Sequence, residues 1–129
     1  MKKTFTKEER LCSRRKIDSL FHSGSSFIVY PFRVVYLVGA IQPTSAPVQV
    51  ILSVFKRRFK RAHDRNRIKR LMREVYRLQK NEILYEEVNK LSLHLDMAIQ
   101  YVGKEELSYE LLFVKMNKTL KHLVHEISS

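Results

Sequence analysis

The chain has 129 residues, 44% of them hydrophobic, and a formal net charge of +12 at pH 7. That length predicts one domain spanning residues 1–129, and the ordinary hydrophobic content excludes wholesale disorder. A single cysteine, Cys12, excludes an intrachain disulfide, and no apolar stretch approaches the ~20 residues that a membrane-spanning helix needs.

The N-terminal half predicts one helix followed by strands. The first ten residues start basic but lack the apolar region of a secretory signal, which favours a cytoplasmic protein with no membrane partner. Residues 8–23 predict a helix, because apolar side chains recur at helical spacing and Gly24 provides a stop. Residues 27–38 are aromatic and β-branched, with Pro31 as an interruption, and predict one or two strands. Residues 42–47 predict a loop, and residues 48–55 a buried strand.

The C-terminal half predicts two helices around one strand. Residues 62–80 are good helix formers without Gly or Pro, and the apolar spacing allows this helix to continue through residue 95. Residues 97–102 predict a short strand, and residues 108–127 predict a last amphipathic helix capped by Ser108. The resulting order α-β-β-β-α-β-α indicates an α+β fold, a two-layer sandwich with helices packed on a small sheet.

The positive charge is concentrated in one segment. Residues 56–80 contain twelve basic and two acidic side chains, whereas residues 24–55 contain one charged side chain, Arg33. A protein whose charges serve only solubility intersperses both signs. This concentration therefore predicts a polyanionic partner such as nucleic acid.

The long helix separates an apolar stripe from a basic ridge. At 100° per residue, Ile68, Met72 and Val75 fall on one side, together with Leu71 and Leu78. The opposite arc contains six cations, which we call the basic ridge: Arg65, Lys69, Arg70, Arg73, Arg77 and Lys80. Ala62 and Asn66 share this arc, which leaves room for a sugar–phosphate backbone and provides an amide for a ribose hydroxyl or a base edge.

A basic turn precedes this helix. It comprises the cations Lys56, Arg57, Arg58, Lys60 and Arg61. Phe59 lies among them and either anchors the turn to the core or stacks on a base, with the anchoring role favoured.

The residues from Ala62 to Glu74, AHDRNRIKRLMRE, resemble a known signature. The protein subunit of bacterial ribonuclease P has the pattern A-x-x-R-N-x-x-K-R-x-x-R-E, and every specified position matches. The resemblance extends to Arg10-Leu11, Leu20-Phe21, Gly24, Ser53-Val54, Lys56-Arg57 and Asp96, and so covers most of the chain. Ile17 departs from it, standing where many members have a second phenylalanine.

The resemblance implies a fold and a function. It implies a left-handed β-α-β crossover, which is contrary to the usual rule for such units. It implies that the chain binds a catalytic RNA, one protein per RNA, and that the complex hydrolyses the phosphodiester bond that joins the 5′ leader to precursor tRNA. In that complex the RNA holds most of the Mg²⁺ and performs catalysis. The basic helix faces RNA, and a cleft between it and the sheet receives the single-stranded leader.

The resemblance also assigns residues. The predicted RNA-binding residues are the five cations of the basic turn together with Arg65, Asn66, Arg67, Lys69, Arg70 and Arg73. Phe21 matches an aromatic residue that stacks on the leader, and Tyr36 matches a tyrosine on the floor of the cleft.

The residues themselves do not predict a catalytic or metal centre within the protein. Carboxylates are scarce near the basic segment, and the five histidines are scattered. Two other functions fit a basic helix. A ribosomal or assembly protein that binds ribosomal RNA would explain the charge but not the signature. A DNA-binding helix is disfavoured, because strands precede the basic helix and no helix-turn-helix pair is visible.

Overall fold

The computed structural model describes residues 4–40 and 46–128, so positions 42–45 of the predicted loop lie outside the described residues. A short 3-10 turn (Lys7–Glu9) precedes helix α1 (Arg14–Ser23) and strands β1 (Ser25–Val29), β2 (Phe32–Ala40) and β3 (Val48–Val54). Helix α2 (Ala62–Lys80), a π-helical turn (Asn81–Tyr85) and helix α3 (Glu86–Lys90) follow, and then come β4 (Leu93–Tyr101) and α4 (Tyr109–Ser128). The predicted α+β class and element order are confirmed.

The four strands form one mixed sheet in the order β1-β2-β4-β3. Strand β2 pairs antiparallel with β1 and β4, whereas β3 and β4 are parallel. The α2–α3 run therefore connects two adjacent parallel strands, as a β-α-β unit requires. The left-handed sense of this crossover stays a prediction from the family resemblance.

Both faces of the sheet are covered by helices. Because side chains alternate along a strand, Val34 and Met97 lie on one face and Val35 and Ala98 on the other. The first face packs against α2 and α4 and forms the main core. The second face packs against α1 through Leu20 and forms a smaller core. No helix in the described part of the chain is long and apolar enough to cross a membrane.

The first helix is shorter than predicted. It begins at Arg14 rather than residue 8, with the Ser13 hydroxyl accepting a hydrogen bond from the Lys16 amide as the N-cap. The preceding residues run along the outer edge of β3, where the Leu11 amide donates to the Val50 carbonyl at 2.9 Å. The apolar spacing misled the prediction because Leu11 is buried by this edge contact and not by a helix.

The last strand begins earlier than predicted. The helical run ends at Lys90 and β4 starts at Leu93, so residues 93–95 are not helical as expected. Ser92 marks the change with a φ of 54°, a left-handed conformation that no helix interior tolerates. The spacing of Leu91 and Leu95 is compatible with a helix, but Leu95 is buried through alternation along a strand.

A buried charged cluster fastens the N-terminal segment to the helical run. The Lys80 ammonium forms an ion pair with the Glu9 carboxylate, and the Tyr85 hydroxyl donates to the same carboxylate at 2.5 Å. The Thr6 amide donates to its other oxygen at 2.6 Å. Burial opposes the charge on Glu9, but these donors outweigh it and hold the pKa of Glu9 below its usual value. We call this cluster the N-terminal clasp.

Candidate nucleic-acid interface

The basic turn is anchored by its one aromatic residue. The Phe59 ring packs edge-on against the buried ring of Tyr101, with centroids 5.9 Å apart. Backbone bonds from Arg58 and Phe59 to the Phe55 carbonyl close the turn. The favoured anchoring role of Phe59 is thereby confirmed. Its charged neighbours Lys56, Arg57, Arg58, Lys60 and Arg61 are all exposed.

Arg65 joins the basic turn to the start of α2. Its Nη1 donates to the carbonyls of Phe59 and Lys60, at 2.8 Å each. These bonds fix the path of the turn relative to the helix and leave the other guanidinium nitrogens without a partner in the described part of the chain. Arg65 is therefore placed to hold the turn and to donate outward at the same time.

Arg67 is engaged by carboxylates of the protein itself. Its Nε and Nη2 donate to the two oxygens of Glu106 at 2.7 and 2.5 Å, and Nη2 also reaches Asp64 at 3.0 Å. The bond to Glu106 is the main reason that the pKa of Arg67 is raised, and the same bond lowers the pKa of Glu106. This fork-to-fork pairing ties residues 103–107 to α2 and occupies the donors that a phosphate would need.

The remaining cations of α2 divide into two groups. The side chains of four residues, all except half-buried Lys69 exposed, have no hydrogen bond or ion pair to any residue that the structure describes: Asn66, Lys69, Arg70 and Arg73. Arg77 instead pairs with Glu74 at 2.6 Å. Lys80, which the helical projection assigns to the basic ridge, is buried in the N-terminal clasp. The open part of the ridge therefore ends near Arg73.

A groove of about 240 Å³ runs beside this open part of the ridge. Lys69 and Arg73 of α2 line it, together with Phe5 and Arg10, whose guanidinium lies over the Phe5 ring. Apolar residues of β3 and the N-terminal segment complete the lining: Leu11, Val50, Ile51 and Leu52, together with Cys12. An apolar floor with a cationic rim suits a nucleobase and its phosphate.

The two predicted leader-binding residues do not share a face. Phe21 is exposed on α1, above the face that contains Val35. Tyr36 lies on the opposite face, packed against Phe27 with ring centroids 6.1 Å apart. Phe21 and Tyr36 therefore cannot border the same cleft: Tyr36 lies on the face that packs against α2 and α4, and Phe21 lies on the helix that covers the other face. The role of Tyr36 in leader binding stays a prediction.

Three residues that make side-chain contacts near the end of β4 and the start of α2 were not predicted from the sequence. Glu106 was not identified as the partner of Arg67, and the pair Arg33 and Gln100 was not identified on β2 and β4. Arg33 donates to the Gln100 side-chain oxygen at 2.8 Å across the strands. Such partners become neighbours only through strand register and loop path, which no local pattern in the sequence encodes. One feature of the sequence does single out Arg33: it is the only charged residue between positions 24 and 55.

The described residues hold no group of three or more His, Cys, Asp or Glu side chains placed to bind a metal ion. His94 and Asp96 form a buried pair on β4 at 2.8 Å, and His122 pairs with Glu126 on α4 at 3.1 Å. Neither pair lies in the segment that contains the basic turn and the open ridge.

Comparison with known proteins is consistent across sequence and structure. The family model described as "Ribonuclease P" matches residues 5–124. A ribonuclease P protein component from Porphyromonas gingivalis is 36% identical over 124 residues, covering 96% of this chain and 89% of the relative. One from Chlorobium phaeobacteroides is 35% identical over 129 residues, covering 94% of this chain and 86% of the relative.

Solved structures share the fold at lower identity. The Staphylococcus aureus RNase P protein superimposes with a TM-score of 0.67 at 19% identity, covering 89% of this chain and 94% of that one. The Thermotoga maritima RNase P protein gives a TM-score of 0.68 at 23% identity, covering 88% and 96%.

Proposed function

This chain belongs to the ribonuclease P protein component family, and we propose that it is the RNA-binding subunit of a ribonuclease P that removes the 5′ leader from precursor tRNA. The observation that carries the proposal is the continuous cationic surface formed by the basic turn and the open part of the ridge. Its exposed cations have no acidic partner among the described residues, and the family signature lies within it.

We propose that this surface binds the phosphate backbone of the catalytic RNA. Arginine presents a planar set of donors that matches phosphate oxygens, and lysine adds a compact charge. Asn66, exposed among these cations, donates and accepts and so suits a ribose hydroxyl. Arg67 contributes differently, as the tie that holds residues 103–107 against α2, because Glu106 already occupies its fork.

We place leader binding on the α1 side of the sheet, and not between the basic helix and the sheet as the resemblance implies, because Phe21 lies on α1 and α2 packs on the other face. Phe21 projects an exposed ring from α1, and an aromatic face stacks on a base whatever the sequence. Tyr36 does not join Phe21 on this side, since it lies across the sheet.

In this proposal the RNA, and not the protein, catalyses phosphodiester hydrolysis. We propose that RNA holds most of the Mg²⁺ that activates water in phosphodiester hydrolysis. In the described residues, Asp64 and Glu106 are paired with Arg67 and form no group of three or more metal-binding side chains. The chain lowers the repulsion between catalytic RNA and precursor and orients the leader. We assign no residue of this chain a catalytic role, and we expect one protein per RNA acting in the cytoplasm.

Reconstitution tests the proposal directly. The chain is combined with the catalytic RNA of the same organism and a labelled precursor tRNA at low Mg²⁺. We expect cleavage at the 5′ end of the mature tRNA to depend on the chain under these conditions. Absence of stimulation would contradict the proposal, and so would crosslinking in cells to ribosomal RNA in place of the processing RNA.

A further inference from the structure

A second groove lies between α4 and the end of α2 with its π-helical turn. Its central pocket has a volume of about 530 Å³, and Leu78, Ile83 and Phe113 form its apolar lining. Two smaller pockets share lining residues with it: one shares Phe113 and Asn117, and the other shares Ile83. The three pockets therefore form one continuous groove, which we call the α4 groove.

The α4 groove lies on the far side of α2 from the open part of the ridge. Leu78 lines the α4 groove, whereas Lys69 lines the groove beside the ridge. Their positions in the sequence place them about 180° apart around the helix. Contact with RNA along the open ridge therefore does not cover the α4 groove.

The α4 wall of this groove is long and partly apolar. Phe113 and Val124 are half-buried, and Val114 is 47% exposed. Because residues 113 to 124 line the groove, it runs along α4 for about 16 Å, or three helical turns. An apolar trough of this length between helices matches one side of a short amphipathic helix.

The two rims of the α4 groove have opposite charges. Lys118 and Lys121 are exposed along the α4 rim, and Glu82 is exposed on the π-helical turn across from them. None of the three forms an ion pair with a residue that the structure describes. Glu82 repels a polyanion such as RNA, whereas a helix with one basic and one acidic flank complements both rims.

A buried amide network fixes one polar group at the centre of the groove. Gln79 is 5% exposed and donates to the carbonyls of Val75 and Phe113 at 3.1 Å each, which turns its own oxygen toward α4. The Asn117 amide donates to that oxygen at 3.0 Å. The Asn117 oxygen then has no hydrogen-bond partner among the described residues, so it is a fixed acceptor for a donor side chain.

We propose that the α4 groove binds an amphipathic helix of a protein partner, about three turns long. The apolar stripe of that helix packs on Phe113 and Val124, and a polar side chain within the stripe donates to Asn117. Its acidic flank lies against Lys121, and its basic flank lies against Glu82. The inference is independent of the proposed function, since it concerns a surface on the other side of α2.

Selection from random peptides tests the proposal without assuming the identity of the partner. Peptides of about 12 residues, enough for three helical turns, are displayed on phage and selected on the full chain. We expect the enriched peptides to have apolar residues at helical spacing between an acidic and a basic flank. They should also become helical on binding, as circular dichroism measures.

Two variants locate the site to which an enriched peptide binds. Val114→Asp places a charge under the apolar stripe and Lys121→Glu reverses one rim, so each should weaken peptide binding about tenfold or more. Replacing the acidic flank of the peptide by lysines should restore its affinity for Lys121→Glu. Lys104→Glu is the matched control, because it reverses an exposed lysine outside the groove lining and should leave peptide affinity unchanged. Thermal unfolding checks that each variant retains the fold.

Four results would overturn the proposal. Selection could enrich no peptide, or only peptides that bind Lys121→Glu as tightly as the wild-type chain. Lys121→Glu could lower both RNA affinity and its salt dependence, which would assign this rim to RNA. Sedimentation could show a dimer that Lys121→Glu dissociates, which would assign the groove to a second copy of the chain. Stimulation of precursor cleavage, which we expect Lys121→Glu to retain, is measured separately and decides the proposed function on its own.

Discussion

Gly24 ends α1 at a point where the chain has no room for a side chain. A Cβ built on it would lie 2.4 Å from the Leu20 carbonyl oxygen and 2.8 Å from that of Tyr36. Both obstacles are backbone atoms, so they cannot rotate away as a side chain can. Its φ of −75° is open to any amino acid, so backbone conformation does not require a glycine here. Close packing between helix and sheet requires it instead.

Gly24→Ala should destabilise the protein by roughly 1–3 kcal/mol, the range for overpacking in a closely packed site. Gly39→Ala is the matched control, because no heavy atom of the described residues, apart from its two chain neighbours, lies within 4 Å of a Cβ at that position. Chemical denaturation of both variants measures the free energy of unfolding. Equal stability of the two variants would show that α1 can shift on the sheet to admit a methyl group.

Phe21 is the residue of α1 that we propose stacks on the leader. Phe21→Ala should weaken binding of a precursor by roughly 1–3 kcal/mol if the ring stacks on one base. Binding of leaderless tRNA should not change. Val114→Ala, which removes an equally exposed apolar side chain from α4 on the other side of the sheet, serves as the control. An equal loss for substrates with and without a leader would instead assign Phe21 to packing.

At the scale of elements, α2 is not a uniform cationic rod. Apart from Arg67, which pairs with Asp64 and Glu106, the cations of its N-terminal part and of the basic turn have no acidic partner among the described residues. Its C-terminal part uses Arg77 and Lys80 in contacts within the protein. One helix thus combines a half that we propose faces RNA with a half that fastens the N-terminal segment and the π-helical turn. Charge counting along the sequence treats these halves as equivalent.

The salt dependence of RNA binding should distinguish these two kinds of cation. If about six phosphates are contacted, log affinity should fall with log salt at a slope of roughly −4 to −5. Arg73→Gln should reduce the magnitude of that slope by about one, because a free cation releases a counterion on binding. Arg67→Gln should leave the slope nearly unchanged, since Glu106 neutralises Arg67 in the free protein. Equal slopes for the two variants would refute this division.

At the scale of the whole molecule, the N-terminal clasp joins the segment before α1 to the end of α2 and the π-helical turn. It brings Glu9 to Lys80, 71 positions apart in sequence, and so holds the segment that forms one wall of the groove. The clasp therefore couples the stability of the main core to the position of the N-terminal residues that line the groove.

Glu9→Gln should destabilise the protein at pH 7 by roughly 3–5 kcal/mol, because it leaves the buried Lys80 ammonium without its counter-charge. The folded protein holds the pKa of Glu9 below its usual 4.5, so this stabilisation is present above that pH and is lost as pH falls through the folded value. The difference in unfolding free energy between wild type and variant should therefore shrink in acid.

Glu87→Gln is the control for this measurement, since it breaks the exposed pair with Lys90. An exposed pair of this kind contributes about 0–1 kcal/mol. A Glu9→Gln variant no less stable than Glu87→Gln at pH 7 would contradict the role given to the clasp.

The sequence by itself determined the α+β class, the element order, the family and the cationic segment, because each is written in local periodicity, charge or a contiguous signature. The tertiary structure alone decided which cations are open, which face Tyr36 occupies and where α1 and β4 begin. It also brought Arg33 beside Gln100 and Glu106 beside Arg67. These features depend on strand register and on contacts between distant segments, and the energy of such a contact exists only once folding has made the two residues neighbours.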